Sequence, residues 1–172
     1  MLDPDLQKEL KNSSRVVLFL HLSMLSEPVI YVIVALVLRE AARYKGMEGT
    51  ESFLSFMRSA FVLVSVSVVP AIILLRRRLF APERLIPPGA DMEKIAMLYS
   101  RAQLICDVLA AVPATLGFVF FLIDGSIDFL VLLSVVSMVT LIFTFPRYET
   151  LEGALMTRIM RGETIELGGK EF

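Results

Sequence analysis

The sequence predicts an all-α integral membrane protein: a four-helix bundle built from two hairpins, N-in and C-in, with an amphipathic cytoplasmic helix near the C-terminal end. Three observations carry that expectation. Of 172 residues, 56% are hydrophobic and 20% charged, with a mean hydropathy of +0.71, which is too little polar surface for a water-soluble domain of this size. Four apolar runs, residues 16 to 38, 59 to 75, 102 to 123 and 127 to 145, approach the about 20 residues needed to cross a hydrocarbon core about 30 Å thick. With the N-terminus in the cytoplasm, only Arg39, Arg43, Lys45 and Arg58 of the 17 Lys and Arg residues fall outside, a strong positive-inside bias.

Residues 1 to 15 form a polar cytoplasmic lead-in, DPDLQKELKNSSR, with helical potential. The first run, 16 to 38, is too long for the apolar region of a signal peptide, and no small-residue cleavage site follows it, so it is expected to be retained. REAARYKGMEGTES then reads as an external loop. The second run, 59 to 75, is the shortest, and Phe53, Leu54 and Phe56 extend it beyond Arg58. In the cytoplasmic loop, 76 to 101, Pro82, Pro87, Pro88 and Gly89 interrupt regular structure. Asp91 is placed to cap a helix that starts at Met92 and continues into the third run, 102 to 123. DGSID makes a tight turn into the fourth run, 127 to 145, completing a membrane domain over 16 to 146. In the cytoplasmic tail, 147 to 172, Leu151, Leu155 and Ile159 recur every fourth residue among charges, predicting a helix that lies along the membrane face as an anchor.

Composition also excludes functions. A net charge of −1 gives no basic excess for nucleic acid. Cys106 is the only cysteine, which rules out an intramolecular disulfide or a paired-thiol relay and leaves it as a small apolar filler. One histidine and one cysteine fall short of a zinc site. The sequence contains no paired-acid motif, no nucleophile with a base and no phosphate-cradling loop, so neither an enzymatic activity nor a cofactor is expected.

The chemically conspicuous residue is Glu27, a carboxylate in the middle of the first run. Such a group is disfavoured in lipid by a few kcal/mol on insertion scales, at roughly 3 kcal/mol, unless it is partnered or neutralised. Ser23, Glu27 and Tyr31 are four residues apart and share one helix face. Pro28 lacks an N–H and frees the carbonyl of Met24 at the same depth. A carboxylate, two hydroxyls and a free carbonyl are the ingredients of a proton or cation site, and equally of an interhelical contact. His21 and Asp107 lie near the cytoplasmic ends of the first and third runs, where they either pair or snorkel separately to the interface. Asp107, Ala110, Ala114 and Gly117 form a small-residue seam for close helix packing, with Ser134, Ser137, Thr140 and Thr144 as a weakly polar side of the fourth run. Pro28, Pro70 and Pro113 predict kinks in three of the runs. EPVIYVIVAL (27 to 36) and VPATLGFVFF (112 to 121) share a proline at equal depth, the trace of a parallel duplication.

Around Glu27 the chain resembles the carboxylate helix of the rotary ATPase proteolipid subunits, whose acid is followed by Ile-Tyr-Gly and an aliphatic run. Here the order is Glu27, Pro28, Val29, Ile30, Tyr31, Val32, then IVALVL. The resemblance implies proton or sodium binding at Glu27 with Tyr31 nearby. It departs in the Glu-to-Tyr spacing, in Val32 standing for glycine, and in placing the acid on the first helix of its hairpin. In layout the chain also looks like the small multidrug transporters, with one acid on the first of four helices, and as a whole it resembles uncharacterised four-helix bacterial inner-membrane proteins. The expected function is proton or cation movement through Glu27 in the bacterial inner membrane. The alternative is an assembly or scaffold subunit with no transport of its own. Expected partners are the lipid bilayer and either further copies of the chain or the other subunits of a membrane complex.

Overall fold

A computed structural model describes residues 4 to 41, 44 to 46, 50 to 87, 92 to 160, 166 to 167 and 170 to 171. Among the described residues six helices run in order: α1 (Pro4–Ala41), α2 (Glu51–Leu79), α3 (Pro82–Leu85), α4 (Met92–Asp124), α5 (Ile127–Phe143) and α6 (Tyr148–Met160). A two-residue antiparallel ladder, β1 (Glu166–Leu167) with β2 (Lys170–Glu171), follows. Among the described residues three helices are long and apolar enough to cross a membrane: the Arg15–Ala41 part of α1, α2, and the Glu93–Asp124 part of α4. The apolar α5 is shorter, at 17 residues. The sequence-predicted cap at Asp91 lies outside the described residues.

Pro28, Pro70 and Pro113 lie inside α1, α2 and α4 without ending them, as is common where neighbouring helices support the freed backbone groups. α4 is assigned as helix from Met92 to Asp124.

The chain divides into two compact units. One comprises Met1–His21, Ile73–Cys106 and Phe145–Phe172; the other comprises Leu22–Ile72 and Asp107–Thr144. In the first unit, Val17, Leu85, Ile86, Ile95, Tyr99, Leu151, Ala154 and Leu155 form one buried cluster. This cluster refines the expectation for the tail helix, which packs on protein through part of its apolar face. On the apolar face of α6, Leu151 and Leu155 are fully buried in protein and Met160 at its end is 83% exposed, while the Ile159 side chain lies outside the described residues. The reason for the packing is the break at Pro82, which turns the chain into the short α3 and delivers Leu85 and Ile86 to the same face that α6 needs to bury.

In the second unit α4 is central. Half of its most apolar window is buried, against 17% for α1 and for α2. Its faces feed three clusters: Ala110 with Val68, Ile72 and Leu141; Phe121 with Ala35 and Leu130; and Phe120 with Phe129 and Leu133. Ile33, Leu63, Val66, Leu132 and Phe143 are instead each more than half exposed. Large apolar side chains turned outward over several helices suit lipid and not water.

The ends of these helices are fastened by two glycines set back to back. Gly46 has φ +84° and Gly125 φ +73°, the left-handed region that glycine enters without penalty. A Cβ on Gly125 would stand 2.6 Å from the Lys45 carbonyl oxygen, and one on Gly46 would collide with the Asp124 and Gly125 backbone. Beside this contact the Tyr44 hydroxyl donates to the Leu122 carbonyl. Arg58 reaches Asp124 at 3.3 Å and lies over the Phe120 and Phe129 rings.

Candidate functional site

The helical repeat places Glu27 and Tyr31 on one face of α1, and the Tyr31 hydroxyl donates to Glu27 Oε1 at 2.5 Å. Tyr31 is itself held by stacking on Phe118 of α4, centroids 4.8 Å apart and planes 10° from parallel. From α4, Thr115 brings its hydroxyl to 3.4 Å from the same Oε1. That hydroxyl also lies 3.2 Å from the carbonyl oxygen of Ala111, one turn back. Thr115 thus has a single hydrogen and two acceptors within reach.

Glu27 is half-buried at the wall of a recess of about 230 Å³, together with Met24 from α1 and Val108, Ala111, Val112, Thr115 and Leu116 from α4. Apart from the carboxylate and Thr115, the lining is apolar. Pro28 is buried beside it. The structure therefore gathers Glu27, Tyr31 and Met24 with a hydroxyl that sequence reasoning had missed. Ser23 is exposed and does not line the recess, and its carbonyl accepts the Ser26 hydroxyl at 2.7 Å. The one sequence sign of Thr115 was its spacing of four from Ala111 and eight from Asp107, along the edge of the small-residue seam.

His21 and Asp107 are both fully buried, at 0% and 1% exposure, so neither snorkels to an interface. His21, in the first unit, meets the Phe145 ring edge-to-face at 5.3 Å. Asp107, in the second unit, accepts from the Thr144 hydroxyl at 3.5 Å. Thr144 caps the end of α5, so the end of that helix touches the Asp107 carboxylate.

The seam on α4 meets α5. Ala110 and Ala114 are completely buried, Ser137 donates to the Ala110 carbonyl at 2.7 Å, and a Cβ on Gly117 would lie 3.1 Å from the Leu133 Cβ and 3.2 Å from the Leu130 Cα. Ser134, Ser137, Thr140 and Thr144 all face inward on α5. Between lipid-exposed helices, apolar burial supplies little drive, and close backbone approach with interhelical hydrogen bonds takes its place.

Among the described residues no group of three or more His, Cys, Asp or Glu side chains is placed to hold a metal ion. The chain matches no protein-family model, no curated protein and no solved structure.

Proposed function

We propose that the chain is a non-enzymatic inner-membrane protein of four spans, N-in and C-in, in which Glu27 takes up and releases a proton or a monovalent cation. The observation that carries this reading is a lone carboxylate bracketed by two hydroxyls from different helices at the wall of an apolar recess. α5 supplies the fourth span, its 17 residues giving about 25 Å of rise, at the short end of what crosses a bilayer.

An intramembrane charge costs about 2.5 to 3.5 kcal/mol on insertion scales, and a hydrogen bond to a charged acceptor returns about 1.5 to 3 kcal/mol. The Tyr31 bond and, more weakly, the longer Thr115 contact offset part of that cost when Glu27 is ionised. Thr115 fits both states. Its hydrogen points to Oε1 when the acid is ionised, and swings to the Ala111 carbonyl when the acid is protonated, leaving the hydroxyl oxygen to accept from it.

The second reading is a scaffold subunit in which Glu27, Tyr31 and Thr115 merely clip α1 to α4, favoured by the wholly apolar remainder of the recess. Liposomes separate the two. Dissipation of an imposed pH or sodium gradient by the wild type and its loss in Glu27→Gln support ion movement, whereas equal flux, or none in either, rejects it. The scaffold reading instead expects Glu27→Gln to be tolerated and a cross-linked partner to co-purify.

A further inference from the structure

The first unit holds a larger cavity, of about 530 Å³. Its walls come from Leu79 at the end of α2, from Arg84 in α3, and from one face of α4 on which Lys94, Leu98, Arg101 and Ile105 recur at spacings of four, three and four. The lining is chemically divided. Arg84, Lys94 and Arg101 face one carboxylate, Glu83, leaving a positive excess, while the remainder is apolar. Glu83 and Lys94 also engage partners within the protein, so the two arginines, both exposed, are the groups available to a ligand. Ile105, 44% exposed, continues the apolar wall beyond Arg101.

We propose that this cavity seats an anionic phospholipid of the surrounding bilayer, with the phosphate on Arg84 and Arg101 and the start of the acyl chains along Leu79, Leu98 and Ile105. Guanidinium groups match phosphate oxygens bidentately, and basic pockets at the cytoplasmic ends of membrane helices are suited to such headgroups. The apolar part of the lining distinguishes a lipid from a soluble phosphate, which needs no hydrocarbon wall. The positive excess distinguishes an anionic lipid from a zwitterionic one.

Native mass spectrometry of the purified chain in neutral detergent tests this, with phosphatidylglycerol and phosphatidylcholine of identical acyl chains as probes and inorganic phosphate as competitor. The expected result is one retained phosphatidylglycerol, preferred about tenfold or more over phosphatidylcholine. The preference is lost in the double variant Arg84→Gln, Arg101→Gln. It persists in Arg77→Gln, Arg78→Gln, whose exposed arginines lie outside the lining. Equal retention of both lipids, preference surviving in the first double variant, or an equal loss in the second overturns the site. Displacement by inorganic phosphate at equal concentration overturns the lipid as its occupant. Should the first double variant not be recovered folded, Ile105→Trp, which keeps every charge and narrows the apolar wall, is expected to lower phosphatidylglycerol retention, and unchanged retention counts against the proposal.

Discussion

The bond from Tyr31 to Glu27 joins side chains one helical turn apart, and Tyr31 owes its position to Phe118 as much as to that bond. Tyr31→Phe therefore keeps the stack and removes only the hydroxyl. It is expected to reduce Glu27-dependent flux about tenfold, the equivalent of about 1.4 kcal/mol, with folding retained; an unchanged flux in liposomes would separate Tyr31 from the acid's chemistry. At the glycines the cost is conformational. Gly125→Ala must adopt a left-handed backbone and meet the Lys45 carbonyl, so a loss of more than about 2 kcal/mol is expected in detergent unfolding. Gly153→Ala, in α6 with nothing within 4 Å of the added methyl, is expected to gain about 0.5 to 1 kcal/mol from helix propensity. Spacing within one helix made Glu27 and Tyr31 legible in the sequence. Thr115 was not, because its approach depends on the register between two helices distant in sequence, which no local pattern encodes.

Between elements, the seam and the tail helix behave differently. The Ala110, Ala114 and Gly117 spacing announces close packing by itself, since small side chains on one face have no other common use in an apolar helix. Gly117→Val is expected to force α4 and α5 apart where Leu130 and Leu133 now touch, lowering stability by about 1 to 3 kcal/mol. Ser137→Ala, which removes one interhelical bond, is expected to cost about 0.6 kcal/mol, and thermal unfolding of both variants ranks them. For α6, its amphipathic pattern was equally compatible with a membrane surface and with a protein surface. The outcome was set by Leu85 and Ile86, brought to its apolar face by a proline-bounded turn. Leu155→Ala is accordingly expected to cost about 2 to 5 kcal/mol as a core truncation, where a helix anchored only in lipid would change little. The burial of Asp107 was hidden for the same kind of reason: its depth along the third run is visible in the sequence, and its contact with Thr144 is not.

For the molecule as a whole, composition and run length suffice to read three membrane-length helices, because lipid demands a long uninterrupted apolar segment and little else satisfies it. The fourth span and the orientation rest on charge bias and on a shorter helix. In a Cys106→Ala background, Ser126→Cys in the turn between α4 and α5 is expected to react with an impermeant thiol reagent from outside intact cells; labelling only after the cytoplasmic side is opened would invert the orientation. The proposed exchange requires the carboxyl group of Glu27 to gain and lose a proton inside the protein. Infrared difference spectroscopy of the reconstituted chain during a pH titration reads that event itself. Proton exchange at Glu27 gives a protonated-carboxyl band that appears and disappears with pH and is missing from Glu27→Gln. A spectrum in which wild type and Glu27→Gln titrate identically would contradict it.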